Sequence, residues 1–301
     1  MTVVSIRGPE GTLKSSFAAT WGGHYLQTNS IKSRVFWGDL ELGAHRAAVK
    51  IDNKLVSVTD LFKIFTIWHP ANNGDTVALD VLTSMLDAKR GDQVMGRIEY
   101  WDILVSKYVS VLKEDTYQLH IYDTWKELWS ANTQSYLQHI QIKAKGENKI
   151  RQVLDPMEYA TPNARMRAWV SSAKAYKRDL VLISHERTTY VQQLDSNKGT
   201  WKGVATDKKE LDGWKETLDL TDWGFATWFD EECPFEKNQH PKSDIDTEWK
   251  NEKARVCKGG FHSYATIEKS PIGADLKGKR LINPTWDKLR DYVESLGRRM
   301  L

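Results

Sequence analysis

The chain has 301 residues, of which 40% are hydrophobic and 28% charged, and its formal net charge is +3. That length buries a full core as one large domain or two small ones, and the composition is ordinary for a soluble globular protein. The small charge neither requires nor excludes a nucleic-acid partner, whereas the lack of any long apolar run argues against a membrane span, and a cytoplasmic location without a secretory signal is expected.

Val3-Val4-Ser5-Ile6 reads as a core strand and Ser16-Phe17-Ala18-Ala19 as the start of a helix. Between them, Gly8-Pro9-Glu10-Gly11-Thr12-Leu13-Lys14-Ser15 follows G-x-x-x-x-G-K-[ST] at every position but one. Backbone N–H groups in such a loop point at phosphate oxygens, Lys14 reaches the β/γ-phosphates, and the Ser15 hydroxyl ligates Mg²⁺. The helix N-terminus adds partial positive charge. Gly8, Pro9, Glu10, Gly11, Thr12, Leu13, Lys14, Ser15 and Ser16 are therefore the expected nucleotide contacts, with ATP and Mg²⁺ as ligands. Leu13 stands where the last glycine is expected, and a side chain there restricts how closely the backbone wraps phosphate. The alternative is a Gly-containing turn that binds nothing.

Arg34-Val35-Phe36-Trp37-Gly38-Asp39 reads as a second strand, closed by Asp39-Leu40-Glu41. A carboxylate near a terminal phosphate can orient and deprotonate an attacking water, and Glu41 is the candidate; an exposed loop acid is the alternative. Over residues 50–115, apolar residues such as Leu79, Leu82, Met85 and Leu86 recur at mixed helical spacing and predict a helical insertion, broken near Gly91. Tyr117 to Tyr122 alternates, which predicts a strand ending at Asp123 and a helix from Thr124. A carboxylate at such a strand end can hold Mg²⁺, usually through water, although an aspartate there also caps helices.

Residues 139–157 turn polar and basic and read as a loop. Lys143, Lys145, Lys149 and Arg151 stand there against the single acid Glu147, a density suited to phosphate contacts. Pro162 fits the first turn of a helix over Asn163 to Lys177. Leu180 to Ser184 reads as a short strand of the buried parallel type, and His185 at its end is placed to sense a terminal phosphate. Residues 186–221 predict a polar excursion with a hairpin, in which Trp201 beside Lys202, and Trp214 beside Lys215, suit base stacking.

Trp223 to Phe229 and Phe261 to Ile267 read as later strands flanking a charged surface insertion over 230–260, and Pro284 to Leu296 as a closing amphipathic helix. Cys233 and Cys257, with His240 and His262 nearby, match no usual zinc-finger spacing. Thirteen tryptophans are many for this length, so some are expected at the surface or an interface.

Strands alternating with helices indicate an α/β fold with a mainly parallel sheet, whose ligands sit at the carboxyl ends of the strands. The order of P-loop, Asp39 and Glu41, Asp123 and His185 resembles the RecA-type P-loop ATPases, most closely the phage-encoded RecA-like proteins linked to single-strand annealing and recombination. The stretches Asp39-Leu40-Glu41-Leu42-Gly43-Ala44-His45-Arg46-Ala47, Tyr122 to Leu128, Leu182 to Glu186, Ala265 to Pro271 and Ile282 to Asp287 carry that likeness. The resemblance implies a single RecA-like ATPase domain over 1–301, in which Lys14, Glu41, Asp123 and His185 act in catalysis and Ser15 and Asp123 hold the metal. It implies that Lys269 completes a neighbouring subunit's site, hence a ring or filament. It also implies that the two polar loops face single-stranded DNA, with Lys143, Lys145, Lys149, Arg151, Trp201 and Lys202 as contacts, in the host cytoplasm if the protein is phage-encoded.

The expected activity is therefore Mg²⁺-dependent ATP hydrolysis coupled to single-stranded DNA in phage recombination or replication. Three other readings stay open: a nucleotide-gated assembly protein with little hydrolysis, a P-loop kinase for a small metabolite, and a ring-helicase or DNA-packaging type of motor.

Overall fold

The computed structural model describes residues 1–29, 35–41, 43–51, 54–66, 96–144, 151–195, 200–230 and 262–299. The strands are β1 (Val3–Gly8), β2 (Val35–Asp39), β3 (Ala48–Ile51), β4 (Lys54–Ser57), β5 (Lys63–Phe65), β6 (Leu119–Asp123), β7 (Asp179–Asp195), β8 (Thr200–Asp212), β9 (Trp223–Asp230), β10 (His262–Lys269) and β11 (Arg280–Ile282). The helices are α1 (Lys14–Asn29), α2 (Val58–Leu61), α3 (Arg97–Lys113), α4 (Trp125–Lys143), α5 (Ala160–Ala175), α6 (Thr217–Leu220) and α7 (Trp286–Ser295).

Among the described residues the main sheet runs β11–β10–β9–β1–β7–β6–β2–β5, with β8 paired to β7. The six strands from β9 to β5 are parallel, while β10, β11 and β8 are antiparallel additions. The chain is thus α/β, with a mainly parallel central sheet flanked by helices. Alternation along each strand feeds two cores. Val4, Ile6, Trp37, Ile121 and Ile183 turn to the side covered by Phe17 and Trp21 of α1 and Leu289 and Val293 of α7. Val3, Phe36, Tyr122, Leu180 and Leu182 turn to the opposite side, against Leu104 and Tyr108 of α3, Leu128 of α4 and Trp169 of α5. Both faces being buried explains why β7 is apolar at each of residues 180–183.

Several expectations change. The region 50–115 is not uniformly helical: β3 and β4 form a small two-stranded sheet, β5 extends the main sheet at its edge, and among the described residues of this region α3 is the one long helix. Leu79, Leu82, Met85, Leu86 and Gly91 lie outside the described residues. The loop expected from His139 begins later, because α4 continues to Lys143 with Gln141 buried at its last turn. Strand β7 spans 17 residues rather than five. Its start lies between β1 and β6, and beyond His185 it leaves the sheet centre and pairs with β8 as the arm of a hairpin. Among the described residues eight tryptophans are buried. One of them is Trp214, whose indole donates to Asn163 Oδ1 at 3.0 Å, so it is no stacking platform. Among the described residues no helix is long and apolar enough to cross a membrane.

Candidate functional site

The carboxyl ends of the parallel strands bring the expected residues together. Gly8 on β1 pairs with His185 on β7, Ile183 with Asp123 on β6, and Asp123 with Asp39 on β2. Residues 9–13 turn from β1 into α1, whose first ladder bond runs from Phe17 N to Leu13 O at 2.9 Å. The amides of Lys14, Ser15 and Ser16 therefore have no partner within the helix, as at any helix start. Gly8 is required by close approach: a Cβ there would lie 2.2 Å from Thr227 Oγ1 and 2.5 Å from Thr227 O. Thr12 fixes the loop from inside, with its hydroxyl donating to Pro9 O at 2.8 Å and lying 2.8 Å from Thr227 Oγ1. Leu13 adopts φ 57°, the left-handed region that favours glycine, and its side chain is 53% exposed.

Lys14 is buried and donates to Pro9 O at 2.5 Å. Burial pulls its ammonium below the usual lysine range, against the opposing pull of Asp123, Glu41, Glu186 and Glu10. Ser15 Oγ donates to Asp123 Oδ2 at 2.6 Å. Burial pushes the Asp123 carboxyl up to about 6, helped by the charges of Asp39 and Glu41 and opposed by the Ser15 hydrogen bond and Lys14. Asp123 is not the cap of α4, and the peptide that follows it is cis. Thr124 occupies the N-cap position but spends its hydroxyl on Glu41 Oε1 at 2.8 Å. Glu41 Oε2 lies 3.0 Å from His185 Nε2. Burial raises the Glu41 carboxyl, yet the bonds from His185 and Thr124 outweigh it and hold the group below the usual glutamate range. Asp39 lies beneath this layer and accepts from Gly43 N at 2.8 Å and Ala44 N at 2.9 Å, fixing the turn that carries Glu41.

These groups line one open cleft of about 180 Å³, whose wall includes Glu10, Lys14, Glu41, Arg46, Asp123 and His185. No protein-family model matches the chain, and no curated protein matches it. The cleft is therefore read from its own chemistry. Ser15 and Asp123 offer a hydroxyl and a carboxylate side by side, an oxygen donor pair suited to Mg²⁺, which takes few protein ligands and completes its shell with water and phosphate. Among the described residues no group of three or more His, Cys, Asp and Glu side chains could hold a metal unaided.

The remaining expected residues are not brought to the cleft. Lys269 at the end of β10 pairs with Gly224, toward the start of the parallel strands, and donates to Leu218 O at 2.7 Å and Asp219 O at 3.0 Å. Lys143 is exposed at the end of α4. Arg151 forms ion pairs with Asp155 and Glu158, so its charge is already answered within the chain. Trp201 and Lys202 pair along β8 with Leu194 and Gln193. Lys145 and Lys149, Cys233, His240 and Cys257 lie outside the described residues.

Sequence reasoning missed three features. Arg46 lines the cleft beside Glu41. Thr227 clamps the turn between β1 and α1 from 215 positions beyond Thr12, and its hydroxyl also donates to Arg7 O at 3.1 Å. Arg7 joins Glu186 and Glu268 beside the cleft. Only Arg46 carried a sequence signal, its position five residues after Glu41.

Proposed function

We propose that this chain is a Mg²⁺-dependent P-loop ATPase with a RecA-like core that works on single-stranded DNA in phage recombination or replication. The observation that carries the reading is the Ser15–Asp123 hydrogen bond, which joins the P-loop to a buried strand-end carboxylate, with Glu41 in the same cleft. Lys14 and the free amides at the start of α1 would hold the phosphates. Ser15 and Asp123 would hold Mg²⁺, which supplies charge neutralisation on the β- and γ-phosphates. Glu41, kept ionised by His185 and Thr124, takes a proton from water as that water attacks the terminal phosphorus. The bond to the β-γ bridging oxygen breaks, and ADP and phosphate leave.

The DNA part is supported by continuity. Strand β7 carries His185 at the cleft and continues into the hairpin arm, where Tyr190 is 67% exposed and offers a ring for base stacking. Ring or filament assembly belongs to the same reading. A trans role for Lys269 would require it to leave the Leu218 and Asp219 carbonyls.

Phosphate release from ATP, measured with Mg²⁺ and with or without single-stranded DNA, tests the proposal. Glu41→Gln should bind ATP and lose turnover by about 10²–10⁴-fold. A protein that binds no ATP, or a Glu41→Gln variant with full turnover, overturns the ATPase reading, and indifference to DNA overturns the recombination part. A second reading, nucleotide-gated assembly with little hydrolysis, is favoured by the left-handed Leu13 within the P-loop. ATP-dependent change in mass without phosphate release would establish it.

A further inference from the structure

We infer that Arg46 is the cation that reads the terminal phosphate, acting from within the same chain; this rests on the ATPase reading above. The cleft wall carries three acids, Glu10, Glu41 and Asp123, against two permanent cations, Lys14 and Arg46. A triphosphate brings further negative charge into this company, so each cation matters. Lys14 is buried in the floor and bonded to its own loop. Arg46 is exposed, lies on the 3₁₀ turn Ala44–Arg46, and has no ion-pair partner among the described residues. Lys269, the residue expected to supply outside charge, is occupied by two backbone carbonyls.

The turn bearing Arg46 is not a loose loop. Asp39 is 4% exposed and accepts two of its amides, while Arg46 N and Ala47 N close it onto Gly43 O and Ala44 O at 3.0 Å each. Val58 N then donates to Ala47 O at 3.1 Å, tying the turn to the start of α2. Glu41 and Arg46 therefore leave one anchored segment, a carboxylate for the attacking water and a guanidinium for the phosphate it attacks. A guanidinium presents a planar fork that bonds two phosphate oxygens together, which an ammonium does not. Because Glu41 and Asp123 mark the terminal-phosphate end of the cleft, Arg46 distinguishes a triphosphate from a diphosphate.

The test compares wild type, Arg46→Ala and Arg46→Lys for binding of ADP and of a non-hydrolysable ATP analogue with Mg²⁺, alongside turnover. Arg46→Ala should keep ADP affinity within about twofold, lose about 10-fold or more for the analogue, and lose turnover further. Arg46→Lys, which keeps the charge and the turn, should recover part of the loss. An unchanged analogue-to-ADP ratio in both variants overturns the inference and leaves the ATPase reading standing. Loss of ADP and analogue alike in both variants also overturns it. Wild type that binds neither nucleotide overturns both.

Discussion

His185 Nε2 and Glu41 Oε2 stand 3.0 Å apart although 144 positions separate them in the chain. The contact exists because β7 lies beside β1 and β6, so the end of one strand reaches the turn after another. It links the hairpin arm to the candidate general base. Removing the ring in His185→Ala takes away the largest stabilising influence on the ionised Glu41, leaving burial opposed by the Thr124 bond and the Lys126 charge. The Glu41 carboxyl should rise, and the acidic limb of the turnover profile should move to higher pH. A pH–rate series on the two proteins measures it. An unmoved acidic limb would separate Glu41 from the rate.

Asp123 is a buried carboxyl whose charge is answered by one hydroxyl and a nearby lysine. Its folded pKa is raised from 3.8 to about 6. The folded protein therefore holds a proton between those values that the unfolded chain has released. The associated stability is fully present below 3.8 and lost as pH rises through about 6, an effect on the order of 3 kcal/mol. In chelator, urea unfolding of wild type at pH 5 and pH 8 should show roughly half of this fall, about 1.4 kcal/mol, and Asp123→Asn should be less pH-sensitive and more stable at pH 8. The same variant should lose Mg²⁺-dependent nucleotide binding. A variant less stable than wild type at pH 8 would contradict the assignment of an unmatched carboxylate.

The parts of this site legible in the sequence are those set by local pattern. The P-loop, the strand ends at Asp39 and Asp123, and His185 each announce themselves through an apolar run followed by a polar residue. What depends on strand order was hidden. Nothing near Thr227 reveals that it sits over Gly8, and nothing near Arg7 marks Glu186 and Glu268 as its partners, because those contacts arise only when β9, β1 and β7 lie side by side. Trp214 and Lys215 read as a stacking pair by adjacency, yet packing buries the indole. Because β10 runs antiparallel, Lys269 at its end lies away from the loop after β1 in its own chain. The apolar spacing over 50–115 could not distinguish an edge strand and small sheet from helix, since short apolar runs fit either.

Leu13 holds a positive φ without the freedom of glycine. A left-handed L-residue costs roughly 1–2 kcal/mol, and Gly recovers that while adding unfolded-state entropy that works against it. Leu13→Gly should leave stability within about 1 kcal/mol of wild type by denaturant unfolding. It should tighten nucleotide binding, because the side chain at the cleft mouth is gone. Weaker binding in Leu13→Gly would mean that the leucine itself contacts the ligand.

Arg7 donates through Nε to Glu268 Oε2 at 2.7 Å and through Nη1 to Glu186 Oε1 at 2.6 Å, with a further Nη2 bond to Glu268 Oε1. The three side chains are between 11% and 23% exposed, so the charges are largely removed from water. Burial raises the Glu186 carboxyl and the Glu268 charge pushes the same way, while Arg7 opposes both. Arg7→Met leaves two carboxylates facing each other and should cost about 3–5 kcal/mol in urea unfolding at neutral pH. Adding Glu186→Gln and Glu268→Gln in that background should recover much of the loss. If the triple variant is no better than Arg7→Met, the cost lies in packing of the arginine stem rather than in charge.

Lys143 and Arg151 make a matched pair for testing the DNA reading. Lys143 is exposed and has no ion-pair partner among the described residues, whereas Arg151 is joined to Asp155 and Glu158. A cation that neutralises one phosphate of a single strand releases counterions, and log K then falls against log salt with a slope near −0.7 per contact. Lys143→Ala should weaken single-strand binding on all sequences and flatten that slope by roughly 0.7. Arg151→Ala should change the slope little, because its guanidinium is already paired inside the chain. Titrations at several salt concentrations read both values. Equal flattening by the two variants would mean that the Arg151 pairs open when DNA binds, and no flattening by Lys143→Ala would remove the α4 end from the DNA surface.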